Sequence, residues 1–390
     1  MDDVSELTRE LVSIPSHGDE TAAGDFIERW LREETDSEVT RDERGSVFAR
    51  TGDPAGPTLA LVGHHDVVPP AEEQVENGEY VVEERDGRLY GRGTADMKGA
   101  VAAAMCAFRD SEVLRTSENR TESGDSVAQS ATDSSSGSRP RDTAPAGELV
   151  FVSFVGEESG GIGARYAIES GFAPEYAVVC EGSTNYSKQG VTDVVVAHKG
   201  RRGSTITARG TASHASEPEA GENAIYRASE AVDLVRGIEA PTATVLGNHL
   251  SGSVAVTEIE GGSAMNVIPD RCTVTVDERT VPGERAPIER VTELEGVEWA
   301  VDQDLPPMAC SDDGFAERML AAAREAQDGA PELVSKPHAT DAGWLAGAGT
   351  ACVVCGASEP GEAHTRDESV SLAVLDRCYR FYREAAGGFI

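Results

Sequence analysis

The sequence predicts a mixed α/β chain: a parallel sheet with helices between its strands, interrupted by a segment of different texture. Three observations predict it. Short apolar runs of strand length alternate with segments of helical periodicity. From about residue 190 the alternation gives way to four strands with two helical stretches, and after about residue 303 it resumes. A chain of 390 residues suits two or three domains at roughly 150 residues each.

The elements follow in order. Leu7, Leu11 and Ile14, then Phe26, Ile27, Trp30 and Leu31, recur at three-to-four spacing, and Pro15 separates the two helices they mark. Residues 58–62 (TLALV) are a short apolar strand ending at Gly63. Residues 80–90 hold Asp-Gly between two runs, a hairpin signal. Residues 97–110 are an Ala-rich helix, and 148–155 and 176–180 are buried strands. Between them 111–147 is rich in Ser, Thr, Asp, Gly and Pro, and reads as a disordered insertion. Strands at 191–197, 204–209, 254–259 and 272–277, with helices at about 221–238 and 284–294, fit a β-α-β-β-α-β sandwich. A helix at 314–326, a strand at 350–355 and a helix at 368–385 complete the first domain. The expected division is 1–188, 189–302 and 303–390, the outer two forming one domain.

Charge excludes some functions. Asp and Glu number 69 against 34 Lys and Arg, a net charge of −35. Nucleic-acid binding needs basic patches and is not expected. Only Lys98, Lys188, Lys199 and Lys336 are lysines. Self-repulsion at this charge is relieved by high salt, so a salt-rich cytoplasm, as in halophilic archaea, is the expected setting. No apolar run reaches the roughly 20 residues of a membrane span, and the start Met1-Asp2-Asp3-Val4-Ser5-Glu6 does not resemble a signal peptide. Neither membrane insertion nor export is expected. Seven scattered cysteines do not form a disulfide framework, and Cys352 and Cys355, in an apolar run, read as core.

The chemistry gathers at predicted strand ends, where α/β sheets bind ligands. Gly63-His64-His65-Asp66 follows TLALV. Residues two apart point the same way, so His64 can ligate a metal while Asp66 holds its other ring nitrogen, and His65 points away. Asp96, in Tyr90-Gly91-Arg92-Gly93-Thr94-Ala95-Asp96-Met97-Lys98-Gly99, also reads as a simple helix cap. Glu157 and Glu158 precede Ser159-Gly160-Gly161, glycines that permit the turn both carboxylates need to reach one site. One carboxylate on metal and one free as a base is a natural division, and a solvated acidic loop is the alternative. Glu181 ends the 176–180 strand, and His364 lies in Gly361-Glu362-Ala363-His364-Thr365-Arg366-Asp367-Glu368. Two histidines and three carboxylates suit zinc, cobalt or manganese, and five ligands suit two ions with one bridging carboxylate. His17, His198, His249 and His338 show no clear metal-ligand spacing and read as structural.

These motifs, in this order, resemble the dinuclear-zinc aminoacylase, carboxypeptidase and desuccinylase family, which includes acetylornithine deacetylase and succinyl-diaminopimelate desuccinylase. The resemblance spans nearly the whole chain outside 111–147. It implies a zinc-exopeptidase-like three-layer αβα catalytic domain with an inserted ferredoxin-like lid and dimerisation domain. It makes His64 and Glu181 ligands of one zinc, Glu158 and His364 ligands of the other, and Asp96 the bridge. Asp66 would orient His64, and Glu157 would be the general base for a metal-bridging water. His214, in Thr211-Ala212-Ser213-His214-Ala215-Ser216, resembles a histidine that supports the oxyanion in the other subunit of a homodimer. Asn266 and Arg279 resemble substrate-binding positions, Arg279 clamping a carboxylate. The implied activity is removal of the acyl group from a small N-acyl amino acid. Lys199-Gly200-Arg201-Arg202-Gly203 leans towards the desuccinylase, and Ala197-His198-Lys199-Gly200 with Thr340-Asp341-Ala342 leans towards the deacetylase. A zinc carboxypeptidase or dipeptidase is the alternative. A non-catalytic metal-binding scaffold, from another class, should lack the base or a ligand, and here all are present.

Overall fold

The computed structural model describes residues 2–122 and 147–389. The chain divides into two compact units: Met1–Val195 with Ser311–Leu333 and Ala348–Ile390, and Val196–Cys310 with Val334–Gly347. Among the described residues no helix is long and apolar enough to cross a membrane.

The first unit is built on a mixed sheet. Six of its nine strands among the described residues run, in order across the sheet, Glu38–Arg41, Val47–Gly52, Glu148–Phe154, Thr58–His64, Tyr176–Val179 and Ala351–Val354. The last four are mutually parallel, whereas the first two pair antiparallel. Every residue from Leu59 to His64 is buried, so both faces of the sheet are covered there. The helices Asp2–Ser13, Gly99–Glu122 and Leu372–Gly387 pack on one another, and Gly99–Glu122 lies against the central strands. Phe48, Phe154 and Phe172 meet edge to face in the core.

Some boundaries differ from expectation. The Ala-rich helix does not stop at 110 but continues to Glu122. Ser111 returns its hydroxyl to the Ala107 carbonyl at 2.7 Å, and extending a nucleated helix through Glu, Leu and Arg is cheap. The rest of the insertion expected to be disordered, 123–146, lies outside the described residues. The last helix begins at Leu372, not 368, because Ser369–Ser371 pairs as a strand with Arg88–Tyr90. The hairpin expected at 80–90 is Glu83–Arg85 against Arg88–Tyr90, turned by Asp86 and Gly87, both at positive φ.

The second unit is a four-stranded antiparallel sheet, ordered Ser253–Gly261, Arg271–Thr280, Gly200–Arg209, Val297–Leu305. The helix Ala224–Arg236 packs on it, capped by the Asn223 side chain, which accepts from Ile225 N–H at 2.9 Å. Ile206, Ala208, Val274 and Val276 of the sheet meet Ala224, Ala228, Ala231 and Val235 of the helix. Strand, helix, two strands, helical turn, strand is the order expected of the insert, with two corrections. The 191–197 strand is not in this sheet; the fourth strand is Val297–Leu305, an edge strand whose exposed acidic residues hide its pattern. The helix expected at 284–294 is only the 3-10 segment Ile288–Glu293, which starts after Pro287 because a proline disfavours helical backbone in the residue before it.

Candidate metal centre

The parallel strands Glu148–Phe154, Thr58–His64 and Tyr176–Val179 are neighbours, so residues just past their C-terminal ends meet. His64 ends one. Its Nδ1 faces the Asp66 carbonyl oxygen at 3.1 Å and Asp66 Oδ1 at 3.2 Å. Both accept, so Nδ1 carries a proton and Nε2 is turned to the cluster. His65 turns away to Ser153 Oγ, 2.9 Å from its Nδ1, and burial pushes it down to about 3.

The chain turns sharply after Phe154. Gly156 sits at φ +60°, and Gly160 and Gly161 donate back to the Glu157 carbonyl. Asp66 Oδ1 accepts from Glu157 N–H at 3.1 Å and Oδ2 from Glu158 N–H at 2.9 Å. One buried carboxylate therefore orients His64 and pins the turn that carries both glutamates. Glu181 follows the third strand; at Gly182 a Cβ would lie 2.5 Å from that of Ser358, so the chain passes too close for any side chain.

Asp96, at non-helical backbone angles within the short π-helical segment Thr94–Lys98, and His364, in a turn, come from connecting segments. The Asp96 carboxylate does not cap the helix that follows. Its Oδ1 lies 3.1 Å from His64 Nε2, and its Oδ2 3.1 Å from His364 Nε2. His364 Nε2 is also 2.8 Å from Glu158 Oε1, and His64 Nε2 is 3.3 Å from Glu181 Oε1. Ligand atoms of His64, Glu157 and Glu181 lie within 4.8 Å of one another, and so do those of Asp96, Glu158 and His364. Two groups of donors thus adjoin, with Asp96 facing both histidines.

The electrostatics fit a cation. Burial alone would lower the His64 pKa, but the Asp66 charge and hydrogen bonds to Asp66, Asp96 and Glu181 raise it well above the usual value. Hydrogen bonds to Asp96 and Glu158 raise His364 to about 10. Burial raises Glu158, while hydrogen bonds from both histidines hold Asp96 below the usual range against its own burial. The same concentration of negative charge that raises the histidines would favour a divalent ion. Imidazole with carboxylate donors suits zinc, cobalt or manganese.

Sequence reasoning passed over several residues. Glu20, at the start of the Thr21–Glu34 helix, accepts from Gly156 N–H at 3.1 Å; burial, with the Asp66 charge, raises it to about 7. No local signal marks it. Arg92 and Glu368, both buried, form an ion pair, and both stand inside the motifs of Asp96 and His364. Lys98 is fully buried and donates to the Ile14 carbonyl at 2.6 Å.

His214, Asn266 and Arg279 belong to the second unit. Ser213–His214 pairs with Val267–Ile268, and Ala215 N–H donates to the Asn266 carbonyl, so the His214 and Asn266 loops adjoin. Ser216 N–H donates to His214 Nδ1 at 3.2 Å. Arg279 Nε and Arg201 Nε each donate to Asp277 at 2.8 Å, and the two arginines are cross-strand partners.

Parallel strand ends carrying histidines and carboxylates in one unit, and an antiparallel sheet with its helix in the other, define a two-unit metallopeptidase class. The model of peptidase family M20/M25/M40 matches residues 60–121, and that of the peptidase dimerisation domain matches residues 196–293. The acetylornithine deacetylase of Myxococcus xanthus is 30% identical over 350 residues, 85% of this chain and 80% of its own. The succinyl-diaminopimelate desuccinylase of Corynebacterium glutamicum is 28% identical over 381 residues, 93% of this chain and 90% of its own. The crystal structure of aminopeptidase PepT from Bacillus cereus shares the fold, with a TM-score of 0.74 at 19% identity over 99% of this chain and 98% of that one. The chain belongs to the M20 peptidase family and is a hydrolase acting on amide bonds.

Proposed function

We propose that this chain removes the acyl group from a small N-acyl amino acid, with two divalent ions, zinc foremost, held in the centre. One observation carries the reading: the two oxygens of Asp96 each face a different histidine at 3.1 Å. His64 and Glu181 would hold one ion, Glu158 and His364 the other, and Asp96 both. When bound, the ions supply Lewis-acid polarisation of the amide carbonyl and lower the pKa of bound water. Glu157 takes the proton from the attacking water and returns it to the leaving nitrogen. Asp66 fixes the His64 ring and holds the backbone of Glu157 through its N–H. Arg279 presents a guanidinium to the substrate carboxylate, and Asn266, beside the His214 loop, is a second binding residue. His214 stabilises the oxyanion in the site of a second copy. Exposed Tyr226, Ile259 and Met265 in the second unit support a homodimer, as apolar residues that a partner would cover. The relatives named above support the acyl amino acid as substrate.

The test is hydrolysis of N-acetylornithine, N-succinyl-diaminopimelate, other N-acyl amino acids and dipeptides, in molar KCl with zinc or cobalt. Chelator-sensitive cleavage of an acyl amino acid is expected. Glu157→Gln should lower kcat about 100- to 10,000-fold while retaining its metal. Cleavage of dipeptides alone would replace this reading with a peptidase. Metal binding without any turnover would replace it with a scaffold.

A further inference from the structure

Asp96 sits on a connecting segment, yet the reading above asks it to meet two ions with each oxygen in a set direction. Something must hold that segment. Glu368 is 1% exposed and Arg92 3% exposed, and they form an ion pair. Glu368 Oε1 accepts three backbone hydrogen bonds, from Gly93 N–H at 3.0 Å, Ala95 N–H at 3.0 Å and Asp96 N–H at 3.1 Å. Its other oxygen takes Arg92 Nη1. Arg92 Nη2 donates to the Thr365 carbonyl at 3.3 Å, and Gly91 N–H donates to the Glu368 carbonyl at 3.0 Å. One buried carboxylate thus ties the segment of Asp96 to the segment of His364.

A carboxylate buried this deeply is costly unless fully partnered. A charge pair needs only Arg92. The three N–H groups converging on one oxygen do something further: they fix the backbone from Gly93 through Asp96 itself. We propose that Glu368 is a positioning residue that sets the Asp96 carboxylate between the two ion positions. This inference rests on the two-ion reading of the centre. It concerns the reach of the Glu368 oxygen to that segment more than its charge.

Two variants separate reach from charge. Glu368→Asp keeps the charge facing Arg92 but withdraws the oxygen by one methylene. Glu368→Gln keeps an oxygen at the same reach and loses the charge. Each is loaded with cobalt, dialysed against graded chelator, and assayed for ions per chain, with circular dichroism as the check on folding. Loss of a group that orients a metal ligand lowers affinity about 10–100-fold. Glu368→Asp should release its ions at a chelator concentration lower by that factor, and its kcat should fall with KM unchanged. Glu368→Gln should hold its ions more tightly than Glu368→Asp. Wild-type ion retention in Glu368→Asp, or weaker retention in Glu368→Gln than in Glu368→Asp, overturns the proposal. A wild-type chain that binds no ion would overturn the two-ion reading instead.

Discussion

Asp96, His64 and His364 form a chain in which a single carboxylate separates two imidazoles. Their titration in the metal-free protein has a sign that can be measured. His364 is raised from 6.5 to about 10 by its hydrogen bonds to Asp96 and Glu158. A raised histidine stabilises the fold fully below its unfolded value and loses that contribution as pH climbs through its folded value. Chelated wild type should therefore exceed chelated His364→Ala in thermal stability near pH 6, and the gap should close towards pH 10. A gap independent of pH would contradict the hydrogen bonds assigned to His364. At this scale the gathering of the histidines and carboxylates was legible in the sequence, because most of them sit in short motifs at strand ends. Arg92 and Glu368 were printed in those same motifs but had no assigned task. Their partners are backbone N–H groups of a connecting segment, which no spacing rule reveals. Glu20 was invisible for a plainer reason: it lies far from Gly156 in sequence and meets it only through packing.

Elements set the directions that residues use. Glu157 and Glu158 are adjacent, and a strand would send them to opposite faces. The turn beginning at Gly156, at φ +60°, brings both to one site. A Cβ there would also lie 3.0 Å from the Cβ of Ile162. Gly156→Ala should cost about 1–2 kcal/mol for the left-handed backbone, seen in denaturant unfolding, and should lower kcat by misdirecting Glu157. Unchanged stability would mean that the turn relaxes freely. The apolar strands Thr58–His64, Glu148–Phe154 and Tyr176–Val179 were readable because burial on both faces writes a continuous hydrophobic run. Glu38–Arg41 and Val297–Leu305 were not, since both are edge strands rich in charge. The helix expected at 284–294 failed because periodicity alone does not weigh Pro287.

For the whole molecule the governing quantity is the net charge of −35. Surface carboxylates repel one another, and added salt screens them over shorter distances. The melting temperature should rise steadily from dilute buffer to molar KCl. A melting temperature indifferent to salt would detach the acidic surface from stability. The centre has its own whole-chain property. His64, Asp96, Glu157, Glu158 and Glu181 all precede the second unit in the chain, and His364 follows it. Synthesis proceeds from the N-terminus. A chain still on the ribosome can therefore display five of these six groups while the codon for His364 is unread. Until then Asp96 Oδ2 and Glu158 lack the His364 imidazole that they face in the finished chain. On the two-ion reading, commitment to a pair of ions would wait until His364 has been made, and the timing of synthesis would join affinity in choosing the metal.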